Sequence, residues 1–542
     1  MAFDLFSGFA WYISNLSPSP RKSRFNIEHL LESRFFLKHS ADLRTPVTAR
    51  VDGEDRQLTN LNATRISSSY KTSPVNPKRQ PLGAIAGVFT KSEDPSQVVE
   101  ELLLALRHRG VNKTVNLVDE NSAIGCSSHQ NAAEHLFQLP DATLALDGSF
   151  YQRKSPVKFA SGLLMKGKIR STATRVMSEP GGFAILLSRG PGMLAFRDPN
   201  GLKPLYFAAN RRMTAFASER KALWRIGLAK TNRISPGRIY TATQRGIKDV
   251  QLIRFKRPQE SHMPLEQSKQ QLIRVLKRSI RRITKGIGRV AVAFSGGLDS
   301  AVTAALAKPL SEVELVSVGL SGSPELLTVE RYARELNFPI TIETFEKELL
   351  EDYVRRIVWL IEEPNLMKVS VAIPLHWAAM LAAKKGFAVM LCGQGSDELY
   401  GGYYKYARTL DAKGRRALVA ELYQSIIEAA EVNYERDEQA TSPSGVELRT
   451  PFADLDVIRF SMTIPSEYKV KTGNDVTRKW ILRAAAKELG VPDDIAWRRK
   501  KAIQHGTGVE NAILKLAKSR NLTAQAYLSK IHGEVKNLET MP

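Results

Sequence analysis

The stretch RVAVAFSGGLDSAVTAAL, from Arg289 to Leu306, decides the fold of the second half of the chain. Residues 290–294 form an apolar run that is typical of a buried parallel strand. The chain then turns through SGG at residues 295–297, and Asp299 opens a run typical of a helix. A glycine turn between a strand and a helix lets a phosphate reach free backbone N–H groups and the positive helix end. The stretch therefore predicts an anion site at a strand end.

The turn does not follow the GxxxxGK[ST] pattern of common nucleotidases, because no Lys follows its glycines. It resembles instead the SGGxDS loop of the ATP pyrophosphatases, which grip the β and γ phosphates and split ATP into AMP and pyrophosphate. An ordinary strand, turn and helix with a glycine cap is the alternative. The resemblance implies that ATP is the cofactor and that it contacts the loop residues Phe294, Ser295, Gly296, Gly297, Asp299 and Ser300.

The composition limits the class of protein. The chain has 542 residues, enough for two to four domains at about 150 residues each. Its longest apolar window, residues 372–391, is interrupted by Lys384 and Lys385, so we expect no membrane span. The two cysteines, Cys126 and Cys392, are too few and too far apart for a disulfide scaffold. They favour a reducing compartment, and we expect the cytoplasm.

The formal charge of +24 is high enough to suggest a polyanionic partner such as RNA. The basic residues are nevertheless scattered, with local clusters at 274–285 and 498–501. Neither cluster carries the interleaved aromatic residues of a base-stacking surface. We therefore favour general basicity with an ATP site and expect no nucleic-acid partner.

Residues 1–82 mix Ser, Pro, Asn and Arg without a sustained period and end in the turn-rich SPVNPKRQP. The opening MAFDLFSGFAWYI has no basic flank and no clear cleavage site, so it makes a poor signal peptide. Acids such as Glu28 and Glu32 argue against a transit peptide. We interpret the segment as a low-complexity or disordered extension.

From residue 83 the chain shows compact strands and turns. GAIAGVF at 83–89, LRHRG at 106–110, RDPNGLKPLYF at 197–207 and SERKAL at 218–223 follow one another in that order. The order resembles the class II glutamine amidotransferases, whose members show CGIFG, LRHRGPD, NGEIYN, RDPxGxKPLYY and SExKAL. The resemblance covers residues 83–255 and implies a four-layer αββα sandwich of the nucleophile-hydrolase type.

The sequence departs from that family where its chemistry occurs. There, a cysteine at the mature N-terminus attacks the glutamine amide, activated by its own α-amino group. We place the matching position at Ala86, which offers no nucleophile, and the preceding residues would tie the amine into a peptide bond. Two pocket motifs also differ, since the chain reads LRHRGVN at 106–112 and DGSFYQ at 147–152. Cys126 has no nearby base, so we interpret it as structural. The domain is therefore predicted not to hydrolyse glutamine.

Residues 256–263 suggest a linker, and a helix with one apolar stripe follows at Leu265, Leu272, Val275, Leu276, Ile280 and Ile283. Apolar strands then alternate with helices, with strands at 313–320, 340–345 and 388–391 and helices at 325–336 and 353–361. Such alternation predicts a doubly wound parallel sheet, of the ATP-pyrophosphatase type, with its ligand at the carboxyl ends of the strands. We assign residues 264–515 to this domain and 516–542 to a C-terminal tail.

Five motifs occur in this second half, in a fixed order: SGGLDS (295–300), GQGSDELYGGY (393–403), LRTPFAD (448–454), LRAA (482–485) and RRKKAIQHGTG (498–508). Their order resembles the asparagine synthetase family. The resemblance implies a ligase in which a carboxylic acid attacks the α-phosphate of ATP, giving an acyl adenylate and pyrophosphate. Ammonia then displaces AMP to form an amide.

The residue types agree with that chemistry. Asp299 and Asp397 follow what we expect to be adjacent strands, so they are placed to share Mg²⁺, which prefers oxygen ligands. Lys500 matches the family lysine that neutralises charge on the α-phosphate and pyrophosphate, an effect worth about 2.7 to 4 kcal/mol. A solvated basic run is the alternative for Lys500. We expect Lys500, Asp299 and Gln394 to be catalytic, and the remaining nucleotide contacts to be Val318, Cys392 and Gly393.

Two departures concern the acid that is activated. The family often has Glu where Gln394 stands, and Gln cannot act as a base. Ser370 stands where bacterial members carry the Arg of a Thr-Thr-x-Arg aspartate clamp, so an aspartate carboxylate would need another cation. The reaction type is therefore better specified than its substrate.

We interpret the chain as an asparagine synthetase-like ligase that uses ATP and Mg²⁺ to aminate aspartate, with ammonia rather than glutamine as donor. The expected partners are these small molecules, with glutamine and a homodimer as open options. A β-lactam-synthetase-like or other amide-forming ligase, a tRNA-modifying pyrophosphatase and a nucleotide-binding pseudoenzyme are the alternatives.

Overall fold

The computed structural model describes residues 48–51, 54–57 and 83–538, with gaps at residues 130, 140–141, 166, 190–191, 258, 324, 500–502 and 537. The chain divides into two compact units, Met1–Val75 and Asn76–Pro542. In the first unit, strands β1 (Thr48–Val51) and β2 (Glu54–Gln57) form an antiparallel pair. The rest of the predicted extension lies outside the described residues.

The first half of the second unit contains two antiparallel sheets of six strands each. The strands are β3 (Gly83–Thr90), β4 (Asn112–Asp119), β5 (Ser122–Ser128), β6 (Leu136–Leu139), β7 (Ala142–Phe150), β8 (Gly181–Arg189), β9 (Gly192–Arg197), β10 (Tyr206–Ala209), β11 (Met213–Ala217), β12 (Asn232–Arg233), β13 (Arg238–Thr243) and β14 (Gly246–Gln251). The spatial orders are β12-β10-β11-β3-β5-β4 and β14-β13-β9-β8-β7-β6. The alternation of side chains along each strand gives each sheet two apolar faces.

Those faces are covered by helices on the outside and by the other sheet on the inside. The helices are α1 (Pro95–Leu104), α2 (Pro156–Leu164), α3 (Ile169–Met177) and α4 (Arg220–Arg225). Helices α1 and α4 pack on the first sheet, and α2 and α3 on the second. A third cluster, which includes Ile85, Ile124 and Leu186, fills the space between the sheets. The predicted four-layer αββα sandwich is confirmed.

The second half contains one parallel sheet of five strands. They are β15 (Arg289–Ala293), β16 (Glu312–Leu320), β17 (Ile340–Phe345), β18 (Val389–Leu391) and β19 (Glu447–Arg449), in the order β17-β16-β15-β18-β19. Every pair in this sheet is parallel. The chain therefore builds outward from β15 in one direction and then returns to its other side. This reversal places a crevice between the ends of β15 and β18.

Helices cover both faces of the sheet, as doubly wound folds require. They are α5 (Leu265–Ile283), α6 (Leu298–Ala307), α7 (Glu325–Glu335), α8 (Leu350–Ile361), α9 (Leu366–Lys384), α10 (Ser396–Tyr400), α11 (Tyr404–Ala429), α12 (Glu435–Thr441), α13 (Leu455–Thr463), α14 (Trp480–Glu488), α15 (Asp493–Ala496), α16 (Ile503–Gly506), α17 (Val509–Ser519) and α18 (Ala524–Val535). One core packs α5, α6, α7 and α14 on one face, and another packs α8, α9, α17 and α18 on the other. The predicted doubly wound sheet is confirmed.

Helices α5 and α9 differ in part from what the sequence predicts. Five members of the stripe on α5 are buried, but Leu265 is 43% exposed at its first turn. Helix α9 is long and apolar enough to cross a bilayer, yet 78% of its most apolar window is buried inside the protein, which is typical of a core helix. The domain boundaries at residues 255 and 264 stay a prediction, because both halves belong to one compact unit.

Candidate active site

The loop after β15 forms a tight turn that leads into α6. Gly296 has φ of 67°, a left-handed value that favours glycine. Helix α6 begins at Leu298. Ser300 is buried, and its hydroxyl donates to the carbonyl of Gly297 at 3.0 Å and accepts weakly from the Ser295 N–H at 3.4 Å. The Ser300 hydroxyl thus braces the turn from within, and its phosphate contact stays a prediction.

The loop after β18 lies directly against the first one. A Cβ built on Gly393 would stand 2.6 Å from the Asp299 Cβ and 2.9 Å from its backbone carbon. Gly395 has φ of 93°, and a Cβ there would meet the Tyr434 hydroxyl at 2.6 Å. Only glycine allows the backbones to approach this closely. The two loops thus bring the sequence motifs around residues 299 and 397 together.

Lys479 joins the two loops, and it was not among the predicted site residues. Its Nζ lies 2.6 Å from Asp299 Oδ1, 2.7 Å from Asp397 Oδ1 and 2.6 Å from Ser396 Oγ. The side chain is 2% exposed, so the two carboxylates share one buried cation. Its place directly before the LRAA helix was visible in the sequence, but no local pattern indicates a partner 180 residues away.

The neighbouring acid is used differently. Glu398 is buried and accepts hydrogen bonds from the Tyr403 hydroxyl at 2.5 Å and from Asn433 Nδ2 at 2.6 Å. Burial, reinforced by the charge of Asp397, raises the pKa of its carboxyl. Of the paired acids, only Asp397 contacts the shared lysine.

A cleft of about 940 Å³, open to solvent, lies beside these loops. Ser295, Gly297 and Asp299 line it at the end of the sheet, and Val318 lines it from the neighbouring strand, as expected. Its cationic wall is made by Arg478, Lys479, Arg483, Arg498 and Arg499. Its apolar wall is made by Val316, Leu326, Val329, Leu375 and Ala378. Such a cleft offers an apolar wall to a nucleobase and positive charge to phosphates.

Arg498 ties the cationic wall to the glycine turn. Its Nη1 donates to the Gly296 carbonyl at 3.1 Å, and its Nη2 pairs with Glu325. Lys500, the predicted catalytic lysine, lies outside the described residues. Arg499 and Ile503, on either side of that gap, both line the cleft.

Two predicted residues lie on the other side of the second loop. Gln394 and Cys392 line a separate cavity, of about 520 Å³, between the two halves of the molecule. Gln394 Nε2 donates to Asp437 Oδ2 at 2.8 Å, and its carbonyl accepts from Thr450 Oγ1 at 2.6 Å. Burial raises the pKa of the Cys392 thiol to about 12, so it stays protonated. Cys392 thus lines the interdomain cavity, and its nucleotide contact stays a prediction.

The carboxylate pair offers the oxygen ligands that Mg²⁺ prefers. In this structure Asp299 and Asp397 share the ammonium of Lys479, beside the solvent-open cleft. Mg²⁺ is usually held by one or two carboxylates together with substrate phosphates. No group of three or more His, Cys, Asp or Glu side chains in the described part of the chain forms an all-protein metal site.

The amidotransferase-like half has no nucleophile in the expected place. Ala86 is buried in the middle of β3, paired with Gly125 and Ala217, and packs under α1. Aligning CGIFG with GAIAG puts the family cysteine at Gly83, the first residue of β3, and not at Ala86. We therefore correct the position to Gly83, which also lacks a nucleophile.

Cys126 does not replace the missing cysteine. It is fully buried between the sheets, and its Sγ lies 3.1 Å from the Ala132 carbonyl. Burial raises the pKa of its thiol to about 12. A thiol that stays protonated at neutral pH is a poor nucleophile.

The guanidinium beside Gly83 already binds a carboxylate of the protein. Arg109 is buried, and its Nε donates to the Gly83 carbonyl at 2.8 Å. Its Nη1 and Nη2 form a fork on the Glu438 carboxylate at 2.8 and 2.6 Å, and Lys203 Nζ binds the same carboxylate at 2.7 Å. Glu438 belongs to α12 of the other half, so an internal carboxylate fills this site.

Together these features define a doubly wound parallel sheet of the ATP-pyrophosphatase type joined to an αββα sandwich. The family model described as asparagine synthase matches residues 271–430 and 410–530. "Putative asparagine synthetase [glutamine-hydrolyzing] 1" of Methanocaldococcus jannaschii is 34% identical over 59% of this chain and 68% of the relative. The chain belongs to the asparagine synthetase family, whose members are ligases that form C–N bonds and typically bind ATP.

Two further relatives match at lower identity. The probable asparagine synthetase of Schizosaccharomyces pombe is 27% identical over 58% of this chain and 61% of the relative. Asparagine synthetase B of Escherichia coli is 27% identical over 78% of this chain and 82% of the relative. All three relatives are named as glutamine-hydrolysing enzymes. The chain spans about two thirds of the length of the first two.

Among solved structures, a glutamine phosphoribosylpyrophosphate amidotransferase from B. subtilis overlaps 48% of this chain and 65% of that chain at 14% identity, with a TM-score of 0.29. The fold described above rests on the strand order of this chain and not on that overlap.

Proposed function

We propose that this protein is an ATP-dependent amide ligase that adenylates aspartate and aminates it with free ammonia. The observation that carries the proposal is the meeting of the two glycine loops at the end of the parallel sheet. This meeting brings the carboxylates of Asp299 and Asp397 to one shared cation, Lys479, beside a cationic cleft. We place the activity in the cytoplasm, where the two buried thiols stay reduced.

In the first step the acid carboxylate attacks the α-phosphate of ATP, and the bond to the β-phosphate breaks. The backbone of residues 295–297 and the start of α6 would receive the leaving pyrophosphate. Arg478, Arg498 and Arg499, which line the same cleft, would neutralise its charge. When bound at Asp299 and Asp397, Mg²⁺ would supply further positive charge to the phosphates.

In the second step ammonia adds to the acyl carbon and AMP leaves. The proposal of ammonia over glutamine has two supports in this chain. Neither Gly83 nor Ala86 carries a nucleophile, and Cys126 stays protonated. The guanidinium of Arg109, which could bind a free amino acid's carboxylate, is taken by Glu438.

The identity of the acid is the least supported part of the proposal. Ser370 is buried, and its hydroxyl donates to the Met367 carbonyl at 3.1 Å, so it offers no cation to a second carboxylate. Arg436 lies near Met367 but is paired with Asp437 at 2.7 Å. The acid panel in the test below therefore includes aspartate, glutamate and monocarboxylic amino acids.

The test is pyrophosphate release by the purified full chain with Mg-ATP and each acid, with ammonium or glutamine as donor. We expect aspartate and ammonium to give asparagine, AMP and pyrophosphate, and glutamine to give none. Glutamine-supported turnover equal to that with ammonium would contradict the missing nucleophile. Ammonium-dependent turnover with another acid would replace aspartate as the substrate. Turnover that requires RNA would favour a tRNA-modifying activity, and nucleotide binding without any turnover would favour a pseudoenzyme.

A further inference from the structure

Much of the positive charge of the chain lies outside the cleft of the candidate active site. The formal charge is +24, and residues 404–416 of α11 alone carry five basic residues and one acid. The prediction that excluded nucleic acid rested on two basic clusters without interleaved aromatic residues. The folded chain brings aromatic and basic side chains together from segments that are far apart in sequence.

Two large aromatic side chains are exposed at the edge of the cleft. Tyr404 is 53% exposed at the start of α11, and Trp497, directly after α15, is 38% exposed. Trp497 packs edge to face against Trp480, with the ring centroids 5.2 Å apart. Rings that are held by neighbours and yet exposed offer surfaces on which a flat ligand can stack.

Cationic side chains lie over two of these rings. The guanidinium carbons of Arg408 and Arg478 are 6.0 and 5.7 Å from the centre of the Tyr404 ring. Lys471 Nζ lies 3.4 Å from the centre of the Trp480 ring. Arg408 and Lys471 are exposed, so each can bind a phosphate while it packs beside an aromatic ring.

These groups form one continuous surface along the cleft. Arg478 contacts Tyr404 and stands two residues before Trp480, and Trp480 in turn contacts Trp497. Arg499 is exposed and lines the cleft, as Arg478 does. We call this the rim surface, and its members are Tyr404, Arg408, Lys471, Trp480, Trp497 and Arg499.

The acids of the same segments do not cancel the charge of the rim surface. Asp475 is buried, and its carboxylate accepts from Trp480 Nε1 at 2.8 Å and from backbone N–H groups. Asp493 pairs with Lys487 at 3.1 Å. The exposed acids of these segments are Asp411 and Asp494. The five basic residues of 404–416 outnumber them, so the surface is positive.

We propose that the rim surface binds single-stranded nucleic acid. Bases stack on the rings of Tyr404 and Trp497. The phosphates bind Arg408, Lys471 and Arg499. Exposed rings with cations between them suit an unpaired strand, because every base has a face that can stack and every linkage carries a negative charge. A duplex keeps its bases stacked on each other and would use only the cations, and an acidic protein would not use the rings.

The experiment measures binding of fluorescein-labelled single-stranded RNA and DNA of about 12 nucleotides to the full chain by fluorescence anisotropy. We expect both to bind, and the Kd to rise with salt concentration with a log–log slope of about 2, since three phosphate contacts contribute about 0.7 each. Tyr404→Ala and Trp497→Ala should each weaken binding at least about fivefold, the lower limit for one stacked base. Tyr404→Phe keeps the ring and is the matched control, so its Kd should equal that of the wild type.

The phosphate contacts have a separate readout. Arg408→Gln should lower the slope of the salt dependence by about 0.7, because one phosphate contact is lost. Arg334→Gln removes an exposed charge on α7, outside the rim surface, and should leave both the slope and the Kd unchanged. The melting temperature of each variant shows that it is folded.

Four results would overturn the proposal. They are absence of binding at low salt, an unchanged Kd in folded Tyr404→Ala and Trp497→Ala, complete displacement of the strand by Mg-ATP, and equally tight binding of a duplex or of polyglutamate. Displacement by Mg-ATP would place the strand in the cleft, and tight binding of polyglutamate would assign the surface to an acidic protein. Pyrophosphate release without nucleic acid tests the proposed function independently of these results.

Discussion

At the residue scale, Lys479 reaches the carboxylates from a strained backbone. Arg478 and Lys479 have φ of 47° and 56°, left-handed values that cost a non-glycine residue on the order of 1–3 kcal/mol each. Asp475 holds this turn by accepting from the Thr477 and Arg478 N–H groups at 2.8 and 2.9 Å. The strain directs two consecutive cations into the cleft.

Lys479→Met tests the shared cation. Removal of one partner from a buried ion pair costs about 3–5 kcal/mol, so we expect a lower melting temperature. Millimolar Mg²⁺ should then raise the melting temperature of the variant more than that of the wild type, because the carboxylates regain a cation. The double variant with Asp397→Asn is the control and should lose this response. Equal responses to Mg²⁺ in all three proteins would contradict a cation site at these carboxylates.

Asp299→Asn keeps the shape of the side chain and removes its charge. Since Asp299 contacts Lys479 and lines the cleft, we expect pyrophosphate release to fall at least about a hundredfold, comparable to the loss of one well-placed charge-stabilising group. Retained activity in a pyrophosphate-release assay would mean that the phosphate site lies elsewhere.

Lys469 gives a pH dependence with a clear sign. It is buried, its Nζ donates to the Ser461 carbonyl at 2.7 Å, and burial lowers its pKa from 10.5 to about 8. Between these pH values the unfolded chain binds more protons than the folded one, so folding becomes more favourable as pH rises. The free energy of unfolding of the wild type, relative to Lys469→Met, should increase from pH 8 to pH 10.5 by at most about 3 kcal/mol. If urea unfolding gives the same difference in free energy between the two proteins at every pH in that range, the lowered pKa of Lys469 is contradicted.

At the element scale, the site depends on two strand-loop-helix units that touch each other. Strands β15 and β18 are neighbours in the sheet, so their loops leave it side by side. The contact between Gly393 and Asp299 fixes the distance between the loops and has no space for a side chain. Two elements separated by about 100 residues thus act as one site.

Gly393→Ala tests that contact. The added methyl group would overlap Asp299, whose backbone cannot move without moving α6. We expect the free energy of unfolding to fall by about 1–3 kcal/mol, as at other overpacked positions. We expect the rate of adenylation to fall by a larger fraction than the free energy of unfolding does. Gly533→Ala is the matched control, because its position on α18 is open and helical. There alanine should stabilise the protein by about 0.5–1 kcal/mol. Equal effects of the two substitutions on pyrophosphate exchange would contradict the loop contact.

At the scale of the whole molecule, buried charges join the two halves. Glu438 binds Arg109 and Lys203, and Glu435 binds Arg197 at 2.8 Å and Tyr206 at 2.8 Å. Both acids belong to α12 of the ligase half, and their partners all belong to the sandwich. These ion pairs hold the sandwich in place as one wall of the interdomain cavity.

Glu438→Ala should separate the unfolding of the two halves. It leaves Arg109 and Lys203 buried without their main partner, which costs about 3–5 kcal/mol. Calorimetry should show one transition for the wild type and a second, lower transition for the variant. Burial by itself would raise the pKa of the Glu438 carboxyl. The charges of Arg109 and Lys203 outweigh burial, so the net pKa lies below the usual 4.5. Its stabilisation is therefore complete above pH 4.5 and lost as the pH falls, so the wild type should approach the variant in acid. A single transition at the wild-type temperature would contradict the role of this cluster.

The sequence allowed the fold and the meeting of the two glycine loops to be predicted, and the roles of the site residues stay predictions. Strand β15, the SGG turn and α6 follow from local pattern, because hydrophobic period and glycine chemistry act within a few residues. The adjacency of Asp299 and Asp397 followed from the strand rule for doubly wound sheets. The position of the missing nucleophile was misplaced by three residues, at Ala86 in the middle of β3 and not at Gly83, its first residue.

By itself, the sequence determined the family, the two layered architectures and the loops that would hold ATP, because these follow from motifs and periods read along the chain. Only the tertiary structure decided that Lys479 bridges the two aspartates, that Gln394 and Cys392 line the interdomain cavity, and that Glu438 fills the site beside Gly83. Each of these contacts joins residues far apart in sequence. Their distances depend on how the helices and sheets pack, which no local pattern encodes.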